Sequence, residues 1–190
     1  MLNCFSKDNQ PATPIFVVSK DQYQGWLQKQ TASTQTWLAS SQFKGEASTF
    51  SVIPDAEGKI SSVVSVSADV NALWSVGHLP SSLPEGHYRI EADEARSLSY
   101  AIAWGLGAYQ FTRYKKPSRL PAKLCCPDAI SSEVERVVSS IHLVRDLINT
   151  PTDDMGPTEF AKAAEVVAKE YGASFTQIVG AELLKQNYAS

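Results

Sequence analysis

Apolar and polar positions alternate with several different periods along this chain, and each change of period marks an element. Pro14 to Ser19 (PIFVVS) is an unbroken β-branched and aromatic run, the pattern of a buried strand. Ser19 then stands where it can cap a helix over about Asp21 to Lys29, with Tyr23, Trp26 and Leu27 on one face. Thr31 to Ser51 holds nine Ser or Thr, yet Trp37, Leu38, Phe43 and Phe50 interrupt it and predict a short helix followed by a turn. Phe50–Ile53 and Ile60–Ser67 are strand-like runs joined by PDAEGK, whose Pro, Asp and Gly carry turn chemistry, so the pair predicts a β-hairpin.

Farther on, Ala68 to Leu79 predicts a helix around Leu73 and Trp74, Pro80 to Gly86 a loop, and Tyr88 to Ile90 a strand. Asp93 and Glu94 open a helix in which Ala95, Leu98, Ile102, Leu106 and Tyr109 share a face. Gly105 and Gly107 each cost up to about 1 kcal/mol inside a helix, so with Ala101 and Ala108 they mark a face packed closely against another backbone. Leu120 to Cys126 reads as a further strand. From Ser131 to Thr150, Val134, Val137, Val138, Ile141, Val144 and Ile148 repeat at helical spacing; Ser132 and Glu135 are spaced as a capping box, and Pro151 ends the run. Pro157 and Glu159 restart a helix that ends near Gly172. Ala173–Val179 then predicts a strand and Ala181–Gln186 a helix, the order that seeds a parallel sheet.

At 190 residues, 43% hydrophobic and 19% charged, the chain is of the globular class and long enough for one domain plus a substantial remainder. Its longest nearly apolar stretch, Ala101 to Tyr109, is about half of the roughly 20 residues that a membrane span requires. Asp8, Asn9 and Gln10 interrupt the N-terminus before an apolar h-region forms, so a secretory signal is not expected and a cytoplasmic location is. Three cysteines, an odd number, give no disulfide framework and fit a reducing compartment. The net charge of −3 offers no global attraction for nucleic acid or anionic membrane. It is uneven, however: residues 1–130 hold 12 basic and 11 acidic side chains, residues 131–190 hold 5 and 9, so the chain changes character near position 130.

Candidate chemistry is sparse. His78, His87 and His142 sit in separate segments with no HExxH, CxxC or HxH spacing; His142 reads as a packing or surface residue, His78 and His87 as solvated loop residues. Cys125 and Cys126 precede Pro127 and Asp128, an anion that disfavours a thiolate, and read as buried in the core. Gly105-Leu-Gly107-Ala-Tyr-Gln110 begins like a phosphate loop but lacks the third glycine and falls inside a helix. Arg113, Lys115, Lys116, Arg119 and Lys123, interleaved with Tyr114, form the one concentrated basic strip, read as a solvated connection between helix and strand.

Val144 to Pro157 (VRDLINTPTDDMGP) strongly resembles the leucyl aminopeptidase family, whose members enter their catalytic domain through an RDL-N-TP segment followed by a GP-started helix. Gly107 to Lys116 (GAYQFTRYKK) and the hairpin region before it are similar to the N-terminal domain of a bacterial branch of that family. The resemblance implies a two-domain, cytoplasmic, homohexameric exopeptidase that removes N-terminal residues from peptides with two divalent metal ions, zinc, manganese or magnesium. In the family the metal ligands are a lysine, aspartates and a glutamate, joined by a catalytic lysine and arginine, all in a later part of the C-terminal domain. Asp55-Ala-Glu57-Gly-Lys59 looks like the family's NTDAEGR metal motif, but Ile53 and Pro54 replace Asn and Thr, Lys59 replaces Arg, and the segment lies between two strand-like runs, so it reads as a hairpin turn.

The combined expectation is an α/β chain: a macro-like N-terminal domain over 1–130 with a mixed sheet and helices, a connecting helix over 131–150, and a truncated start of a catalytic α/β domain over 151–190. It is read as the N-terminal portion of a leucyl aminopeptidase, a fragment inactive alone, with no catalytic or metal residue of its own, no cofactor bound, and a role in assembly or active-site access. The alternative is a free-standing macro-like module that binds a ligand or nucleic acid. The apolar residues of 151–190 are expected to be partly uncovered and to favour self-association.

Overall fold

One polar turn and several longer, helix-bearing connections join the β-branched runs, and in the computed structural model six strands form one mixed sheet. The structure describes residues 2–7 and 11–188, so Asp8, Asn9 and Gln10, on which the reading of the N-terminus rests, lie outside the described residues. The strands are β1 (Phe5–Lys7), β2 (Thr13–Ser19), β3 (Thr49–Pro54), β4 (Ile60–Ser67), β5 (His87–Glu91) and β6 (Lys123–Cys126), in the order β1-β6-β5-β2-β4-β3. Only the predicted hairpin β3–β4 is antiparallel; every other pairing is parallel. The helices are α1 (Tyr23–Gln28), α2 (Ala32–Ser40), α3 (Leu79–Ser82), α4 (Glu94–Gly107), α5 (Asp128–Asn149), α6 (Pro157–Glu170) and α7 (Ala181–Lys185), with a 3₁₀ turn at Leu73–Ser75. The chain divides into two compact units, residues 1–142 and 143–190.

In the first unit the sheet is covered on both faces. On one face, Ile15, Val63, Tyr88 and Leu124 pack with Leu79, Leu83, Tyr100, Trp104, Val134 and Val138. On the other, Val18, Ile53, Val64 and Val66 receive Tyr23 of α1 and Leu38 of α2. This second apolar layer lies over β2, β4 and β3; the β1, β6 and β5 end of the same face carries Ser6, Cys125, His87, Arg89 and Glu91 instead. β1 was not expected from the sequence, because three residues are too short to show a period; parallel pairing with β6 creates it.

Several boundaries differ from the sequence pattern. The segment read as a loop at Pro80–Gly86 begins inside α3, with Pro80 in the first turn, where its missing N–H is no loss. The helix expected over Ala68–Leu79 is reduced to the 3₁₀ turn before α3. α5 starts at Asp128, three residues early: the Pro127 carbonyl accepts from the Ile130 N–H, so Ser132 and Glu135 lie inside the helix and no capping box forms. On α4 the buried residues are Tyr100, Ala101, Ala103, Trp104, Gly105 and Leu106, while Ala95 is exposed and Leu98, Ile102 and, just past the helix end, Tyr109 are half-buried. Of the expected face Leu106 is buried; the other buried positions are small or aromatic, because close packing favours the side on which the helix backbone can approach its neighbours.

In the second unit, Pro151 ends α5 as expected, the Thr150 hydroxyl donating to the Asp146 carbonyl at 2.6 Å. Pro157 opens α6, which closes before Gly172 at φ +66°. Ala173–Val179 is not a strand: it carries no ladder pairing, and among the described residues of this unit there is no strand to bond with. α7 forms as predicted. No side chain of α6 or α7 is buried, and Phe160, Val166 and Leu184 are 59%, 64% and 74% exposed.

Candidate functional site

The hairpin turn between β3 and β4 holds the residues that look like a metal motif. Asp55 Oδ1 accepts from the backbone N–H groups of Glu57 and Lys59, both at 2.9 Å, and Gly58 takes φ +81°. Lys59 Nζ lies 2.8 Å from Glu57 Oε2, all of it exposed. One carboxylate is thus occupied in shaping a turn and the other faces a cation, so these residues do not fit a divalent metal pair. Among the described residues, no group of three or more His, Cys, Asp or Glu is placed to hold a metal ion.

The histidines are more structural than their sequence positions indicate. His142 Nε2 donates to the Gly105 carbonyl at 2.9 Å, and its ring meets Tyr109 edge-on with centroids 5.0 Å apart. His78 is not a solvated loop residue: its ring lies beside Phe50, its Nε2 is buried without a hydrogen-bond partner, and burial lowers its pKa. His87 is not in a loop either; it lies on β5, half-buried, with Nδ1 3.0 Å from Ser6 Oγ. Gly105 and Gly107 lie in the last turns of α4, where their amides serve the helix ladder and not a phosphate.

The basic strip is the exposed connection from α4 to β6. The Arg113 guanidinium sits 5.7 Å from the centroid of Tyr114, whose ring meets Phe111 edge-on, and Arg119 Nη2 donates to the Leu83 carbonyl at the end of α3. Gln110 Nε2 donates to the Arg119 carbonyl at 3.0 Å, so part of the strip ties the connection down.

All three cysteines are buried. Burial pushes the Cys4 thiol up to about 12, with the nearby Cys126 adding to it. Cys125 has a different setting: its Sγ is 3.3 Å from Ser6 Oγ, which in turn meets His87 Nδ1. Ser6 is level with Cys125 in the β1–β6 register and His87 with Lys123 in the β5–β6 register, so pleating places all three on one face. A cavity of about 230 Å³ opens at the carboxyl ends of β5 and β6, lined by Arg89, Glu91, Ser97, Tyr100, Leu124 and Cys125. Carboxyl ends of parallel strands are where open α/β sheets place ligands. The sequence held no local signal for this grouping, because Ser6 is 119 residues from Cys125 and 81 from His87.

A profile of the M17 aminopeptidase N-terminal domain matches residues 13–127. Probable cytosol aminopeptidases of Streptomyces avermitilis and Neisseria meningitidis are each 33% identical, over 99 and 102 residues; the matches cover 44% and 48% of this chain but only 19% and 21% of those proteins. Among solved structures, cytosol aminopeptidase from Coxiella burnetii aligns at TM-score 0.89 and 36% identity, over 97% of this chain and 41% of that one. The bottromycin maturation enzyme BotP aligns at TM-score 0.65 and 19% identity over 92% of this chain and 41% of its own, a likeness of fold alone; a structure of that enzyme in complex with Mn aligns similarly. The chain spans about a fifth of the length of the curated relatives it matches.

Proposed function

This chain belongs to the M17 aminopeptidase family through its N-terminal domain, and from that premise we propose that it is the N-terminal portion of a metal-dependent exopeptidase that removes N-terminal residues from peptides. Its work there is assembly of a homo-oligomer, a hexamer by family resemblance, or control of access to the active site. The observation that carries this reading is the alignment with the Coxiella enzyme over 97% of the chain, which takes in both compact units and not the N-terminal domain alone.

Hydrolysis by two metal ions needs a clamp that holds the attacking hydroxide and polarises the carbonyl. The Asp55–Lys59 turn does not fit that task, as its hydrogen bonds and internal ion pair state. The two divalent ions, zinc or manganese, and the cytoplasmic location belong to the complete enzyme in this proposal. No helix among the described residues is long and apolar enough to cross a membrane.

Purified chain assayed with leucine p-nitroanilide and added manganese should hydrolyse it no faster than a chelated control. Co-expressed with the C-terminal domain of the Coxiella enzyme, it should co-purify in an oligomer that cleaves the same substrate. Activity of the chain alone, or no association in co-expression, overturns the proposal. A free-standing binding module is not favoured: the phosphate-loop-like glycines are inside α4, and the alignment continues through the second unit.

A further inference from the structure

We propose that Cys125 is a thiol-modification site, activated by a proton relay through Ser6 to His87 and reached through the cavity at the carboxyl ends of β5 and β6, where it exchanges with small disulfides. Three observations converge on it. The first is the hydrogen-bonded row itself, with Cys125 Sγ 3.3 Å from Ser6 Oγ and His87 Nδ1 3.0 Å from that same oxygen. The second is the cavity of about 230 Å³, which has Cys125 in its lining. The third is that Cys125 lines this cavity whereas Cys4 and Cys126 do not, and burial pushes the Cys4 thiol up to about 12.

The sheet explains why polar groups occupy these positions. Over β2, β4 and β3 the face is sealed by α1 and α2, but Ser6, Cys125 and His87 sit on the end of that face where the apolar layer stops. A core built for stability alone would place aliphatic side chains there, because a buried polar row costs desolvation that its hydrogen bonds only offset.

The chemistry balances without any further reagent. With His87 in the tautomer that leaves Nδ1 as acceptor, the Ser6 hydroxyl donates to Nδ1 and the Cys125 thiol donates to Ser6 Oγ. As Cys125 Sγ attacks one sulfur of a small disulfide, its proton moves to Ser6 Oγ and the hydroxyl proton moves to His87 Nδ1. The reagent's S–S bond breaks, a new S–S bond to Cys125 forms, and the departing thiolate takes up the proton that His87 releases. Cys125 is oxidised and the reagent is reduced to one thiol. The cavity has both polar walls, from Arg89, Glu91 and Ser97, and an apolar one from Leu124, and its volume suits a small neutral disulfide.

The test treats the folded chain with hydroxyethyl disulfide and follows each cysteine by tandem mass spectrometry. Cys125 should form the mixed disulfide at least tenfold faster than Cys4 or Cys126. Ser6→Ala and His87→Gln should each slow Cys125 about tenfold and leave the other two cysteines unchanged, whereas Ser6→Thr, which restores a hydroxyl, should recover most of the rate. Circular dichroism and urea midpoints establish that each variant is folded, and a variant that fails this control is replaced by the other position. Equal labelling of the three cysteines, rates unmoved by Ser6→Ala and His87→Gln, or labelling that appears only as urea unfolds the chain would each overturn the proposal.

Discussion

Gly107 in the last turn of α4 packs its α-carbon directly against the backbone carbonyl of Gly77, so closely that a Cβ at position 107 would overlap the Gly77 oxygen. The obstacle is main chain and cannot rotate away. Alanine would add about 1 kcal/mol of helix propensity, but the overlap should outweigh it, and Gly107→Ala should destabilise the chain by about 2–4 kcal/mol net. A urea midpoint equal to or above wild type would contradict this contact.

The opposite sign is expected at Gly25. It lies within α1 with nothing within 4 Å of where a Cβ would stand. Gly25→Ala should therefore raise stability by about 0.5–1 kcal/mol, through helix propensity and a less flexible unfolded chain. Parallel urea titrations of the two glycine variants measure both signs in one experiment.

Trp104 is fully buried, with its indole N–H donating to the Ala122 carbonyl at 3.2 Å and its ring tilted against Tyr88. Trp104→Phe removes the donor and part of the volume, and should cost about 2–3 kcal/mol. Trp104→Ala should cost about 3–5 kcal/mol. Thermal and urea unfolding check both, and a loss below about 1 kcal/mol for the alanine variant would mean that the ring is not central to the core.

Acid should weaken the fold through His78. Burial lowers its pKa in the folded chain below the ordinary histidine value, so the unfolded chain binds the proton first as pH falls. Its effect is absent above the unfolded value near 6.5, and stability is lost progressively as pH drops below that value toward the folded one. Urea midpoints between pH 7.5 and 5.5 should fall in wild type and fall less in His78→Phe. Equal slopes for the two proteins would remove His78 as the cause.

The second unit should be the first to yield and the first to associate. Phe160, Val166, Val179 and Leu184 are all more than half exposed, and an apolar groove of about 370 Å³ runs between Leu143, Leu147, Phe160, Ala164 and Val167. Limited proteolysis should cut first in residues 151–156 or beyond, with residues 1–130 surviving. Light scattering should show mass rising with concentration, and Phe160→Asp should reduce that rise. A monodisperse monomer, with even hydrogen-exchange protection through the second unit, would count against this.

Local patterns carried the elements with strong internal order. PIFVVS, the PDAEGK turn and the valine repeat of α5 each hold their instruction within a few residues, because strand alternation, turn chemistry and helical spacing act over that range. Of the two glycines expected to face another backbone, Gly107 does, against Gly77, whereas Gly105 is closed over by the side chains of Val138 and Phe5. The motif at Val144–Pro157 pointed to the aminopeptidase family, and the profile match and structural alignment established it from other residues as well. Pairing decided the rest. Phe5–Lys7 is a strand only because β6 lies beside it, and Ala173–Val179, with a better strand composition, is none because nothing does. The start of α5 moved to Asp128 because Pro127 closes the first turn, and the buried side of α4 was chosen by how near the sheet and Gly77 can come. Ser6, His87 and Cys125 meet only because parallel strands from distant parts of the chain share one face, a relation set by strand order and register that no local spacing encodes.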